Sequence, residues 1–385
     1  MIMTIALGIA MVIFLYYVAA AIELMRGNRS LPWLRDAPRE EPTALPFVSV
    51  IIAARQEADT IEPALCSVLA QDYSQYEVIV VDDRSEDTTG AILDRIAQRD
   101  SRLSVLHIKE LPAGWLGKNH ALYQGTLRAR GQWYLFSDAD IVMDPSTLRR
   151  AVSWAQALRA DHLVAIPRIV TRHVGLEGFV SSFVVGFGLW YRIWRARTQD
   201  RRYYVGIGAF NFVRAQTYQN AGTHRAIALR PDDDMKLGKI IKQSGAHQEL
   251  LLAPDLIHVE WYPSLRALIA GLMKNSFAGI DYSWIKLAVT LIVIGGLHVW
   301  PWIALAATRG ATQGLYALTV LMILAMAGDN ARFHWFRRWI GLLDPFAALL
   351  IIYILVRAAI LTTWQQGIRW RGTLYPLAAL KANNV

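Results

Sequence analysis

The sequence predicts an α/β domain with a parallel-type sheet, set between an N-terminal transmembrane helix and C-terminal transmembrane and interfacial helices. Three observations carry that prediction. Residues 1–22 contain no charged side chain, and further apolar stretches gather after residue 286. Between them, short β-branched runs alternate with helix-length segments, the order that builds a parallel sheet under helices. Acidic residues stand directly behind two of those runs.

Composition narrows the classes first. The 385 residues are 54% hydrophobic and only 18% charged, where a soluble domain carries about 25% charged residues. Disordered, coiled-coil, collagenous and disulfide-scaffold chains are excluded. Cys66 is the sole cysteine, so neither an intrachain disulfide nor a Cys-rich zinc site can form. Forty Lys+Arg against 31 Asp+Glu give a net charge of +9. That balance suits nucleic acid, an anionic membrane or a polyanionic small substrate, and the placement of the apolar residues must decide.

Residues 1–25 read as a membrane anchor, since 22 uncharged residues cross the ~30 Å hydrocarbon core as a helix. The basic region that opens a signal peptide is missing. Arg26, Arg29 and Arg35 follow, so the positive-inside rule places Met1 outside and the chain after it in the cytoplasm. Residues 26–45, with prolines and mixed charge, read as a linker.

Residues 46–255 read as the catalytic domain. Phe47–Ala54 is an unbroken apolar run, as a strand buried on both faces should be. A helix with Ile61, Leu65, Val68 and Leu69 on one face follows. Glu77–Val81 is a second strand and runs into Asp82 and Asp83. A helix near Thr88–Arg99, a strand at Leu103–Ile108 and a helix at Lys118–Ala129 come next. Trp133–Phe136 is a further strand, ending in Ser137, Asp138, Ala139 and Asp140. Open α/β sheets bind ligands beyond the C-terminal ends of their strands. Neighbouring carboxylates repel unless a cation compensates, so two such clusters mark a functional face. Asp138 and Asp140 are oxygen donors suited to Mg²⁺ or Mn²⁺, and Lys118 is a cationic partner for a diphosphate beside them.

Residues 256–282 read as an amphipathic interfacial helix, with Leu265, Leu268, Ile269 and Leu272 at helical spacing and Arg266 and Lys274 at its edges. Leu176–Trp194 reads as a second such helix. Residues 283–366 hold two or three spans, at Leu287–Ala307, Gly310–Gly328 and Pro345–Trp364, and a basic aromatic loop at 332–339 reads as cytoplasmic. Three full crossings would put the tail, 367–385, outside, whereas Arg369, Arg371 and Lys381 favour the inside. The rule conflicts with itself there, and one stretch is a candidate re-entrant segment.

Five stretches taken in order, VSVIIAARQE (48–57), VVDDRSEDTT (80–89), LPAGWLGKNHAL (111–122), FSDADI (136–141) and DDMKLG (233–238), resemble a known pattern. The chain from Pro46 to Ile280 resembles the inverting family 2 glycosyltransferases of GT-A fold, in their membrane-bound bacterial branch. It is similar to ceramide glucosyltransferases and to the transferases of hopanoid and carotenoid glycosides. The resemblance implies that Ala54 and Glu57 line the nucleotide pocket and that Asp83, with Asp82 beside it, meets the uracil or ribose. It implies that Asp138 and Asp140 hold Mg²⁺ or Mn²⁺, Asp140 directly, and that Lys118 supports the nucleotide. Asp234 takes the place of the general base and Asp233 that of its acidic neighbour. Gly208 and Ala209, within Gly206–Asn211, would floor the sugar and acceptor site.

One feature departs from the family pattern. The Gln/Arg-x-x-Arg-Trp motif that holds the diphosphate is missing after the base, where Trp261, Arg266 and Lys274 stand on the membrane side. A literal match, Gln366 to Trp370 with Arg369, lies beyond the last apolar stretch and reads as coincidence. It could serve only from a cytoplasmic tail.

The chemistry agrees with the resemblance. An inverting transfer needs one carboxylate to take the acceptor's proton, with a metal and cations to stabilise the departing diphosphate. No carboxylate nucleophile is required. The expected protein moves one sugar from a UDP-sugar to a lipid hydroxyl at the cytoplasmic face of a bacterial inner membrane, which it crosses several times. Nucleic acid is not an expected partner, because the basic residues gather beside the spans, where anionic lipid accounts for them. A processive polysaccharide synthase and a non-catalytic, membrane-tethered nucleotide-binding protein are the alternatives.

Overall fold

The computed structural model describes residues 2–38, 45–370, 372–383 and 385. Met1, linker residues 39–44 and Arg371, all used above, lie outside the described residues. The chain divides into two compact units. One contains residues 31–170, 193–260 and 378–385, and the other residues 1–30, 171–192 and 261–377. The run expected as one domain over 46–255 is thus interrupted by residues 171–192, which cluster with the apolar helices.

The first unit is built on strands β1 (Val48–Ala54), β2 (Tyr76–Asp83), β3 (Leu103–Ile108), β4 (Trp133–Asp138), β5 (Val142–Met143), β6 (His162–Ile166), β7 (Arg168–Ile169), β8 (Asn211–Arg214), β9 (Gln248–Leu252) and β10 (Ile257–Val259). Seven form one sheet in the order β3-β2-β1-β4-β8-β6-β9. The β1–β4 half is parallel, as the alternating pattern predicts. The order does not extend to β8, which runs antiparallel to both β4 and β6. The helix between β6 and β8, Val174–Tyr191, clusters with the apolar helices and is no crossover on this sheet, so nothing forces β8 parallel.

The period of two along each strand divides the side chains between two cores. Val48, Val50, Ile52 and Ala54 pack on one face with Val78, Val80 and Leu135. Ile51 packs on the other with Leu122, Phe136 and Leu237, and Ile79 and Val81 pack there with Ala121. Each fully buried aliphatic side chain contributes roughly 2 kcal/mol. Both faces are covered, so the strands read in the sequence as continuous apolar runs.

A smaller sheet, in the order β5-β10-β7, corrects the reading of residues 256–282. Ile257–Val259 is a strand, and the helix begins only at Leu265 and ends at Ser276, with Ser264 Oγ capping Ala267 N–H.

The second unit consists of apolar helices. Among the described residues, five helices are long and apolar enough to cross a membrane: Met3–Ser30, Val174–Tyr191, Trp284–Ala307, Gly310–His334 and Arg338–Trp364. Val174–Tyr191, expected as amphipathic, contains a single charged residue, Glu177, and is apolar around its girth. Several charged and polar side chains pair within the unit. Arg29 donates to Asp329 at 2.7 Å, Asn28 to Asn330 at 2.9 Å, and Arg337 Nη1 to Glu177 at 2.7 Å. Arg332 also pairs with Asp329. The tail begins as a hairpin, Gly367–Trp370 against Thr373–Pro376.

Candidate active site

Parallel pairing brings three strand ends together. Ala53 lies opposite Asp138 of β4, and Ala54 lies opposite Asp82 of β2. The acids that stand behind two separate runs in the sequence therefore share one edge. Ala54 itself is only 1% exposed and packs in the core, so its backbone alone can face a ligand.

Two charged groups occupy this edge. In the first, Asp83 accepts from Arg84 Nε at 2.7 Å and Nη2 at 3.0 Å, with Arg55 at 3.7 Å. Asp82 meets His107 Nδ1 at 2.9 Å, and the other ring nitrogen of His107 meets Asp94 at 3.0 Å. Those two hydrogen bonds raise the His107 pKa against a smaller effect of burial, first through Asp94 and then through Asp82. Both aspartates are buried, Asp83 against two arginines and Asp82 against the His107 ring. The helix Gly117–Thr126 starts against Asp83: a Cβ at Gly117 would stand 2.1 Å from Asp83 Oδ2.

In the second group, Lys118 Nζ bridges Asp138 at 2.7 Å and Asp233 at 3.0 Å. Asp234, next in the chain, accepts Gly208 N–H on Oδ2 at 3.0 Å and Met235 N–H on Oδ1 at 2.7 Å. The loop before β8 closes over these acids. Gly208 carbonyl accepts from Asp138 N–H at 3.0 Å. A Cβ at Gly206 would fall 1.8 Å from the Asp234 carbonyl oxygen, and one at Gly208 would fall 2.5 Å from Asp138 Oδ2. Glycine at both positions is thus a condition of the close approach.

The electrostatics separate the acids. Burial lowers the Lys118 pKa, but Asp138, Asp233 and Asp234 outweigh it and hold the ammonium well above its ordinary range. Burial and then Asp233 push the Asp234 carboxyl up to about 7, with Lys118 opposing. Asp140 is pushed up to about 7 by burial, then by Asp138 and Glu57. One lysine does not neutralise this many carboxylates, and the excess negative charge at Asp138 and Asp140 suits a divalent cation. Among the described residues no three His, Cys, Asp or Glu side chains form a protein cage for a metal. Mg²⁺ and Mn²⁺ fit such a site, because they are commonly held by one or two carboxylates with water and substrate phosphate completing the shell. Asp138 and Asp140 could hold one.

Several supporting residues escaped sequence reading. Asn119 donates to the carbonyls of Ile227, Ala228 and Arg230, at 2.8, 3.2 and 3.0 Å. Arg230, 2% exposed, pairs with Asp232 at 2.8 and 2.9 Å. Asn119 ties the loop before Asp233 to the start of the Lys118 helix, and Arg230 braces Asp232 within that loop. Asn119 sits inside a motif stretch, so its neighbours signalled it. Arg230 carries no local signal.

Trp261, Arg266, Lys274, Gln366, Arg369 and Trp370 belong to the other unit. Within it the Lys274 ammonium stands 4.2 Å from the Trp370 ring centroid, a cation–π contact. The helix carrying Lys274 and the hairpin strand carrying Arg369 therefore meet.

An α/β sheet that gathers acids and a lysine at adjacent C-terminal strand ends is a ligand-binding domain of the open-sheet class. Residues 49–216 match the family model described as Glycosyl transferase family 2. The match ends before Asp232–Asp234. Relatives include a succinoglycan biosynthesis protein of Rhizobium meliloti, 38% identical over 30% of this chain and 32% of its own length. Another is a beta-monoglucosyldiacylglycerol synthase of Trichormus variabilis, 26% identical over 52% of this chain and 42% of its own length. The chain thus spans well under two thirds of the curated relatives it matches. The mannosyltransferase of Pyrobaculum calidifontis, solved with GDP-Man and Mn²⁺, shares the fold with a TM-score of 0.55. It is 20% identical, covering 93% of this chain and 99% of that one.

Proposed function

We propose that this protein is an inverting glycosyltransferase that moves one sugar from a nucleotide sugar, UDP-linked, to a lipid hydroxyl, with Asp234 as general base. The observation that carries the reading is Asp234 itself. It stands beside the Asp138–Lys118–Asp233 bridge, with its carboxyl pushed up to about 7, where a base works best near neutral pH. Asp234 takes the proton of the acceptor hydroxyl, the freed oxygen bonds to the anomeric carbon, and the bond to the diphosphate breaks with its electrons leaving on phosphate oxygen. Lys118 faces that developing charge, and Glu57 and Asp83 serve the nucleoside side. Mg²⁺ or Mn²⁺ at Asp138 and Asp140 would supply charge stabilisation to the diphosphate.

The lipid acceptor is supported by the five apolar helices and by the likeness to a diacylglycerol-glycosylating synthase. The basic residues Arg266, Lys274 and Arg369, with Trp261, Gln366 and Trp370 in the same apolar-helix unit, would serve a lipid head group. A multi-pass protein in a bacterial inner membrane with its catalytic unit in the cytoplasm completes the reading.

The test is nucleotide release from membranes containing the protein, with UDP-sugars, added lipid extract and Mg²⁺ or Mn²⁺. Mass spectrometry of the lipids identifies the product. Metal-dependent release with one hexose per lipid is expected. Polymer growth would favour a processive synthase, and binding without turnover would favour a tethered binding protein.

A further inference from the structure

The end of the described chain folds into the sheet unit, a role that no sequence motif assigns to it. Residues 378–385 cluster with that unit. Leu380 is wholly buried, and Val385 packs against the core formed by Ile51, Phe136, Tyr218 and Leu237. Asn383 uses both ends of its amide on one loop. Its Oδ1 accepts Leu229 N–H at 2.9 Å, and its Nδ2 donates to the Ala226 carbonyl at 3.1 Å. Lys236 Nζ, two residues after Asp234, donates to the Val385 backbone oxygen at 2.8 Å. The loop at 226–230 is therefore gripped twice, by Asn119 and by Asn383, immediately before the acids.

We propose that residues 378–385 are a strap that positions the Asp232–Asp234 cluster, with Asn383 as the positioning residue. The assignment rests on the base role given to Asp234 above. Asn suits this place because its planar amide holds a donor and an acceptor on separate atoms, one for each backbone group.

The test uses the full chain in native membrane vesicles and in detergent. Asn383→Ala should lower kcat about tenfold, the loss of one hydrogen bond's worth of positioning, with donor KM unchanged within twofold. Amide exchange over 224–234 should rise by a similar factor. Asn383→Asp keeps the acceptor for Leu229 N–H and should fall between, and it carries the test if the alanine variant does not fold. Unchanged exchange and kcat, or a loss confined to KM, overturns the strap. If the unmodified protein transfers no sugar, the activity reading fails, while amide exchange still decides the strap.

Discussion

Replacing Asp234 by Asn should trade activity for stability, and both sides can be worked from the site. The amide is isosteric and keeps an oxygen for Gly208 N–H, which now donates to Oδ2 at 3.0 Å. Its NH2 group, however, replaces the oxygen that accepts Met235 N–H at 2.7 Å, a loss of about 1 kcal/mol that is the same at every pH. Removing a general base costs about 10²–10⁴ in rate, and kcat for nucleotide release should fall by that factor. In the unmodified enzyme the carboxyl, pushed up to about 7, is about half ionised at pH 7 and about a tenth at pH 6. Rate should therefore drop close to tenfold per pH unit on the acid side. Stability moves the other way. A carboxyl raised from 3.8 to about 7 binds its proton more tightly folded than unfolded. Its ionisation costs stability as pH rises between those values, in full above about 7. Three units amount to at most about 4 kcal/mol, and partial solvent exposure reduces that to about 1–2 kcal/mol. In EDTA, the stability of Asp234→Asn relative to the parent should rise by about 1–2 kcal/mol between pH 4 and pH 8, read from thermal midpoints. Undiminished transfer by the variant, or an acid limb retained in it, would refute the assignment.

Four further outcomes follow from the geometry of the sheet unit. Lys118→Met leaves Asp138 and Asp233 without their shared ammonium. Because Lys118 and Asp138 are 35% and 38% exposed, the folding cost should stay near 1–2 kcal/mol, while transfer falls at least 100-fold by steady-state assay. Gly206→Ala would set its Cβ 1.8 Å from the Asp234 carbonyl and should lower the thermal midpoint sharply. Gly208→Ala meets a movable carboxylate and should fold but lose metal-dependent activity. His162, buried between Asn211 at 2.8 Å and Gln248 at 2.7 Å, has its pKa pushed down to about 4 by burial. The unfolded chain takes up a proton there that the folded chain refuses, so stability is complete above about pH 6.5. Up to about 3 kcal/mol should be lost as pH falls toward 4, read from urea midpoints, and His162→Gln should flatten that slope.

Much of the sheet unit is legible in the sequence because β1, β2 and β4 are covered on both faces. Such strands must be unbroken apolar runs, and their ends must carry whatever faces the ligand. Asp82, Asp83, Asp138 and Asp140 stand out for that reason. Residues 257–259 were misread as helix because three apolar-flanked residues fit either period. Only pairing with β5 and β7 makes them a strand. The antiparallel β8 was hidden for a similar reason, since four residues carry no record of direction.

The sequence by itself determined the partition into apolar and α/β parts, the order of the parallel strands and the identity of the acids. These follow from local hydropathy and spacing. Only the tertiary structure decided which charges meet. Lys118 lies 115 residues before Asp233 and Gly208 26 before Asp234, yet chain folding sets them 3.0 Å apart in both cases. It also decided where the tail goes, because Asn383 finds its partners 157 and 154 residues away. Hydropathy reports whether a segment prefers lipid or water, whereas a hydrogen bond depends on positions that the whole chain must fix together.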